Sequence, residues 1–98
     1  MIKAFKCRDT EALFNGKRIG RFISIQSAAM RKLAILNVVG RIEDLRVPPI
    51  SSLEALKGKR QGQWSIRINE QWRICFRFEA GNAFEVEIVD YHTKEAVV

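Results

Sequence analysis

The sequence predicts an α+β fold in which an antiparallel sheet packs on two helices, in the chain order β-α-α-β-β-β. Three observations carry this prediction. Apolar residues alternate through Trp64, Ile66 and Ile68, and again through Trp72, Ile74, Phe76 and Phe78, with Ser65, Arg67, Arg73, Cys75 and Arg77 between them. That period of two belongs to a sheet with one face in a core. Earlier in the chain, Ile25, Ala29, Leu33 and Leu36 fall on one side of a helix. Both helical segments precede the strand-rich half, so a helix does not alternate with every strand, and segregated α+β layers follow.

Taken in order, Ile2 to Cys7 reads as a short strand. Asp9 or Thr10 then caps a helix through Glu11, Ala12, Leu13 and Phe14, which Asn15-Gly16 stops. After the basic link from Lys17 to Arg21, Ser24 is the expected N-cap of a longer helix ending at Gly40, with Gln26, Arg31, Lys32 and Asn37 on its polar side. Ile42 to Leu45 adds a helical turn before Pro48-Pro49 excludes regular structure. The piece Leu53-Glu54-Ala55-Leu56 lies in a loop, followed by the turn Lys57-Gly58-Lys59-Arg60-Gln61-Gly62. Asn69-Glu70 separates the first two strands of the C-terminal half, and Ala80-Gly81-Asn82 turns the chain into the last. There Phe84, Val86 and Ile88 are expected to face the core, and Glu85, Glu87 and Val89 to face away.

With 98 residues, 47% of them hydrophobic, the chain is expected to form one domain over 1–98, with 93–98 as a short tail. No apolar run approaches the roughly 20 residues of a membrane span, and the opening Met1-Ile2-Lys3-Ala4-Phe5-Lys6 lacks the apolar core of a signal peptide. A cytoplasmic protein without a membrane partner is the expectation. Seventeen Lys and Arg against eleven Asp and Glu leave a net charge of +6, which favours a polyanionic partner. Cys7 and Cys75 form no Cys-x-x-Cys pair and have one histidine to join them, so neither a zinc site nor a disulfide framework is indicated. Cys75 stands between Arg73 and Arg77, a flank that favours a thiolate.

Six basic residues, Lys57, Lys59, Arg60, Arg67, Arg73 and Arg77, fall within one short stretch. The alternation turns Arg67, Arg73 and Arg77 toward one face. Two roles fit arginines there: binding phosphate, or pairing with Glu85 and Glu87 on the neighbouring strand. The last strand runs into Asp90-Tyr91-His92, which contains the chain's one tyrosine and one histidine. An imidazole with an ordinary pKa of about 6.5 exchanges protons near neutrality. RNA cleavage by internal attack needs a base for the 2′-hydroxyl, a cation for the phosphorane and an acid for the departing 5′-oxygen. One histidine cannot serve both proton transfers, so Asp90, Glu54, Tyr91 or a lysine must supply the second. Tyr91 shares the arginine face with Glu87 and Val89, whereas Asp90 and His92 start on the other.

Leu53-Glu54-Ala55-Leu56-Lys57-Gly58, Gly62-Gln63-Trp64-Ser65-Ile66-Arg67 and Asn69-Glu70-Gln71-Trp72-Arg73-Ile74-Cys75-Phe76, followed by Val86 to His92, resemble a HigB-type toxin. These are plasmid-maintenance killer proteins of the RelE/ParE superfamily, and the resemblance extends from Met1 to His92. It implies a RelE-like microbial ribonuclease fold and a toxin of a type II toxin-antitoxin system. It further implies cleavage of messenger RNA in the ribosomal A site without a metal ion or other cofactor, growth arrest, and a helix-turn-helix antitoxin of HigA type. By position, Asp90, Tyr91 and His92 match the family's catalytic triplet, Arg73 its transition-state arginine and Lys57 a basic active-site residue. Lys59, Arg60, Arg67 and Arg77 remain as RNA-binding candidates. Some members carry histidine two positions before Leu-Lys-Gly, where this chain has Glu54; a carboxylate there is either a weaker base or a structural partner of Lys57. Two other activities share the fold or the basic face: a ParE-like block of DNA gyrase, and RNA binding without cleavage.

Overall fold

The computed structural model describes residues 1–46 and 52–91. Helix α1 spans Arg8–Phe14 and α2 spans Gln26–Val38. The strands are β1, Glu54–Ala55; β2, Trp64–Arg67; β3, Trp72–Glu79; and β4, Asn82–Asp90. All four pair antiparallel in the order β1-β2-β3-β4. Among the described residues no helix is long and apolar enough to cross a membrane.

The predicted apolar faces meet in one core. Ile66, Ile74, Phe76, Val86 and Ile88 from the sheet pack with Leu13, Phe22, Ile25, Ala29, Leu33 and Leu36 from the helical half. Burial of these side chains is the main force holding the layers together, at about 25 cal/mol per Å² of apolar surface removed from water. Phe22 meets Trp72 edge to face, with ring centroids 5.6 Å apart.

Several boundaries differ from the sequence reading, each for a local reason. Ser24 does not cap α2: a 3₁₀ turn over Gly20–Ile25 runs directly into it and places Ile25 at its N-cap. α1 starts two or three residues early, with Cys7 at its N-cap, so Asp9 and Thr10 lie inside it. The Ile2–Cys7 segment is not a regular strand. Ile2 and Phe5 make isolated parallel bridges to Ala83 and Val86 of β4. A β-bulge between those bridges breaks the ladder: opposite Phe76, β4 sets two residues, Glu85 and Val86, against one. Glu85 takes φ +52 there, an uncommon conformation for a side chain other than glycine. The bulge resets the alternation, so Ala83 is buried and Phe84 is not fully covered, the reverse of the sequence expectation. The piece at Glu54–Ala55, expected in a loop, is a two-residue edge strand, with Glu54 opposite Ser65. Pro48-Pro49 and Ser51 lie outside the described residues.

Thr10 fastens the helical layer to β4. Its Oγ1, fully buried, accepts a hydrogen bond from the Ile88 amide at 3.0 Å, beyond the point where the N-terminal segment stops pairing. Thr10→Val, of equal shape, should lower stability by about 1–3 kcal/mol because a buried N–H loses its acceptor. Urea midpoints of Thr10→Val and Thr10→Ser check this; equal midpoints for the two variants and the parent would remove the bond from the account.

Candidate active site

The face of the sheet turned away from the helices holds the predicted basic residues. The β2–β3 register sets Arg67 directly opposite Arg73 and Ser65 opposite Cys75. Two like charges facing each other across strands repel, so each guanidinium needs local acceptors. Arg73 Nε donates to Ser65 Oγ at 2.8 Å, on the diagonal neighbour of the same face. Its Nη2 donates to the Ser52 carbonyl at 2.7 Å and meets Glu54 Oε1 at 3.0 Å. Arg67 takes a different acceptor, donating from Nε to the Asn69 carbonyl at 3.3 Å.

Asn69 shapes the turn between β2 and β3. Its Oδ1 accepts from the amides of Gln71 and Trp72, both at 2.8 Å, an Asx-type turn that fixes the start of β3 next to Arg73. Gln71 in turn anchors the end of β4. Its Nε2 donates to Asp90 Oδ2 at 3.1 Å, and its carbonyl accepts from the Tyr91 amide. Tyr91 is thereby directed onto the arginine face, as its alternation predicts, with its ring centroid 5.7 Å from Arg73 Cζ. Its hydroxyl lies 3.8 Å from Cys75 Sγ.

Cys75 does not have the thiolate character its flanking arginines suggest. Complete burial pushes its pKa up, against the opposing effects of Tyr91, Arg60 and Arg73, so the thiol stays protonated. Burial likewise pushes Tyr91 up to about 12, helped by Cys75, with Arg60 and Arg73 acting in the other direction. A raised tyrosine pKa means that the fold prefers the neutral phenol. Stability from this group is therefore complete below the ordinary value of 10.0 and is lost as pH climbs toward about 12. Because Tyr91 is the chain's single tyrosine, tyrosinate absorbance reports on it alone. Near pH 10 the folded protein should show little tyrosinate while the unfolded chain is about half ionised. Cys75→Ala should bring the folded value part of the way down; half ionisation of the folded parent at pH 10 would contradict the burial argument.

These contacts line an open cleft of about 900 Å³ formed by Glu54, Arg67, Asn69, Glu70, Gln71, Arg73 and Tyr91. Of the residues singled out in the sequence, the cleft brings together Glu54, Arg67, Arg73 and Tyr91, with Asp90 joined to its rim through Gln71. His92 lies outside the described residues. Lys57 and Lys59 are exposed on and beside the 3₁₀ turn Gly58–Arg60, and neither makes an ion pair among the described residues, including with Glu54. Arg60 and Arg77 both make ion pairs. Arg60 Nη1 meets Glu87 at 3.0 Å and Gln63 at 3.1 Å; Arg77 Nε meets Glu85 at 3.2 Å. Gly62, at φ +94, admits the Arg77 guanidinium so closely that a Cβ there would lie 2.8 Å from Nη1. Arg77 thus makes the cross-strand pair with Glu85 on a side chain that stays 38% exposed. For Glu87 the partners are Arg60 and Lys6 rather than Arg67.

Sequence reasoning passed over Ser52, Ser65, Asn69, Glu70 and Gln71. Ser65 was within reach, since it shares the alternation of Arg67 and Arg73; the others depend on the turn and register. Chemically, the cleft offers two guanidiniums over one short span, a neutral phenol beside one of them, and carboxylates at its rim. That arrangement suits a phosphodiester flanked by groups that accept or donate protons.

Comparison with known proteins agrees with the fold and identifies the family. The toxin HigB-1 of Vibrio cholerae serotype O1 is 38% identical over 85 residues, covering 85% of this chain and 90% of its own. The protein named endoribonuclease HigB of Proteus vulgaris is 34% identical over 94 residues, covering 94% and 100%. In fold, YafQ from E. coli strain BL21(DE3) superposes with a TM-score of 0.54 at 10% identity, and a mutant of YafQ with 0.57 at 11%, each over 96% of both chains. Residues 4–92 match the HigB-like toxins, described as RelE-like toxins of type II toxin-antitoxin systems, and the chain belongs to that family.

Proposed function

We propose that this toxin is an endoribonuclease that cuts messenger RNA on the ribosome, in the A site, and so stops translation and growth. The observation that carries the reading is the facing pair Arg67 and Arg73 at the cleft, with Tyr91 beside Arg73. A phosphodiester relieves the repulsion of that pair, and an unstacked base has an aromatic ring on which to lie. The relative named endoribonuclease HigB adds support.

In this reading the 2′-hydroxyl gives up its proton to a base and attacks the adjacent phosphorus. A cyclic phosphate forms, and the 5′-oxygen leaves with a proton from an acid. His92 serves one of the two proton transfers, and Asp90, Tyr91 or Glu54 supports the other. Arg73 stabilises charge on the phosphoryl oxygens, with Lys57 contributing from the loop beside the cleft. Lys59, Arg60 and Arg77 hold ribosomal or messenger phosphates, the two arginines while also pairing with Glu87 and Glu85 across the sheet face. The chain works as one domain in the cytoplasm, and its antitoxin is a helix-turn-helix protein of HigA type.

Primer extension on translated message tests the proposal. Purified protein added to translating ribosomes should create new 5′ ends. Intact message under conditions in which an active relative cuts it would overturn the reading. Inhibition of DNA supercoiling, or RNA binding without new ends, would replace it with one of the two other activities.

A further inference from the structure

Glu54 has an exposed carboxylate on a guanidinium that is almost buried. The Arg73 side chain is 11% exposed and that of Glu54 is 60% exposed, with Nη2 and Oε1 3.0 Å apart. The cation is the fixed member of the pair: Ser65 Oγ and the Ser52 carbonyl hold it without help from Glu54. The anion is the exposed one. It sits on β1, a strand of two exposed residues at the edge of the sheet. Ser52, two residues before it, takes φ +47, an uncommon backbone conformation for a residue other than glycine. Glu54 is the only ionic partner of Arg73 among the described residues, and the contact opens onto the cleft.

A carboxylate oxygen and a phosphoryl oxygen ask the same thing of a guanidinium: a charge-assisted N–H bond in the plane of the fork. We propose that the Glu54 carboxylate occupies the oxyanion seat of Arg73 in the resting protein and is exchanged there for a phosphoryl oxygen. Glu54 thereby sets how tightly the cleft holds phosphate. The inference rests on the reading of Arg73 as the phosphate-binding residue, but assigns Glu54 a task distinct from proton transfer. A resident anion weakens capture of stray phosphate. It leaves the seat to a phosphodiester delivered at high local concentration.

Titration with inorganic phosphate, followed through the backbone amide resonances of β2 and β3 together with the Arg73 Nε–H resonance where that side chain is present, tests the exchange without any cleavage. Glu54→Gln and Glu54→Ala should bind phosphate about 1.5- to fivefold more tightly than the parent, the size expected for an exposed ion pair. Arg73→Ala should abolish the response in the parent and in Glu54→Gln alike. Equal or weaker binding by both Glu54 variants, with thermal transitions showing them folded, would overturn the proposal; so would binding that ignores Arg73. The two readings fail separately. Exchange at Arg73 without message cleavage removes the nuclease and keeps the seat, whereas cleavage that needs Arg73 with phosphate affinity indifferent to Glu54 does the opposite.

Discussion

Replacing Arg73 with alanine should slow message cleavage by about 10²–10³-fold, the usual loss when one preorganised donor to a developing oxyanion is removed. The preorganisation is visible. Nε and Nη2 are tied to Ser65, Ser52 and Glu54 before any substrate arrives, so little reorientation is needed as charge builds on phosphorus. The fold should survive. Glu54 is exposed and hydrates when its partner goes, leaving the buried Ser65 hydroxyl as the main loss, about 1–3 kcal/mol. Arg73→Lys is the sharper variant, because an ammonium keeps the charge but cannot satisfy the same acceptors from a planar fork. Single-turnover cleavage of translated message, with melting curves for both variants, separates the possibilities. If lysine restores the rate to within a few-fold, charge alone matters and the geometric argument fails. If alanine itself cuts at the parental rate, Arg73 leaves the mechanism.

The sequence exposed the residues governed by periodicity and hid those governed by pairing. Arg67, Arg73 and Tyr91 share a face because side chains alternate, and that much follows from Trp64 to Phe78 and from Glu87 to Tyr91. The same rule failed at Phe84, since Phe84, Val86 and Ile88 read as one unbroken alternation and no glycine marks the bulge at Glu85. Arg60 lies in a turn without a period, and its partner Glu87 is 27 residues away, so nothing local announces their bond. Glu54 stands out in the sequence only by its position in the family pattern. Its place on Arg73 depends on the pairing of Glu54 with Ser65, a register that a two-residue strand does not display. Lys57, an alternative partner in the sequence, points to no such contact among the described residues.

His92→Ala should lower cleavage by about 10²–10⁴-fold, the range for loss of one positioned proton transfer, and should also change the shape of the pH profile. The chain has one histidine, so a limb near pH 6.5, where an ordinary imidazole titrates at about that value, belongs to His92 or to no histidine at all. The other candidate groups at the cleft and its rim narrow the choice of second participant. Tyr91, pushed up to about 12, keeps its proton at neutral pH and suits hydrogen-bond donation or acid catalysis rather than the role of resting base. Asp90 accepts from Gln71, which orients it at the end of β4. Glu54 spends its charge on Arg73 until phosphate displaces it, and only then has a free carboxylate to offer the 2′-hydroxyl. A pH profile in which His92→Ala is slow and lacks the near-neutral limb, while Glu54→Gln retains that limb, assigns the titration to His92. A limb that persists in His92→Ala moves the titrating group elsewhere, and a parental rate in that variant removes His92 from the chemistry.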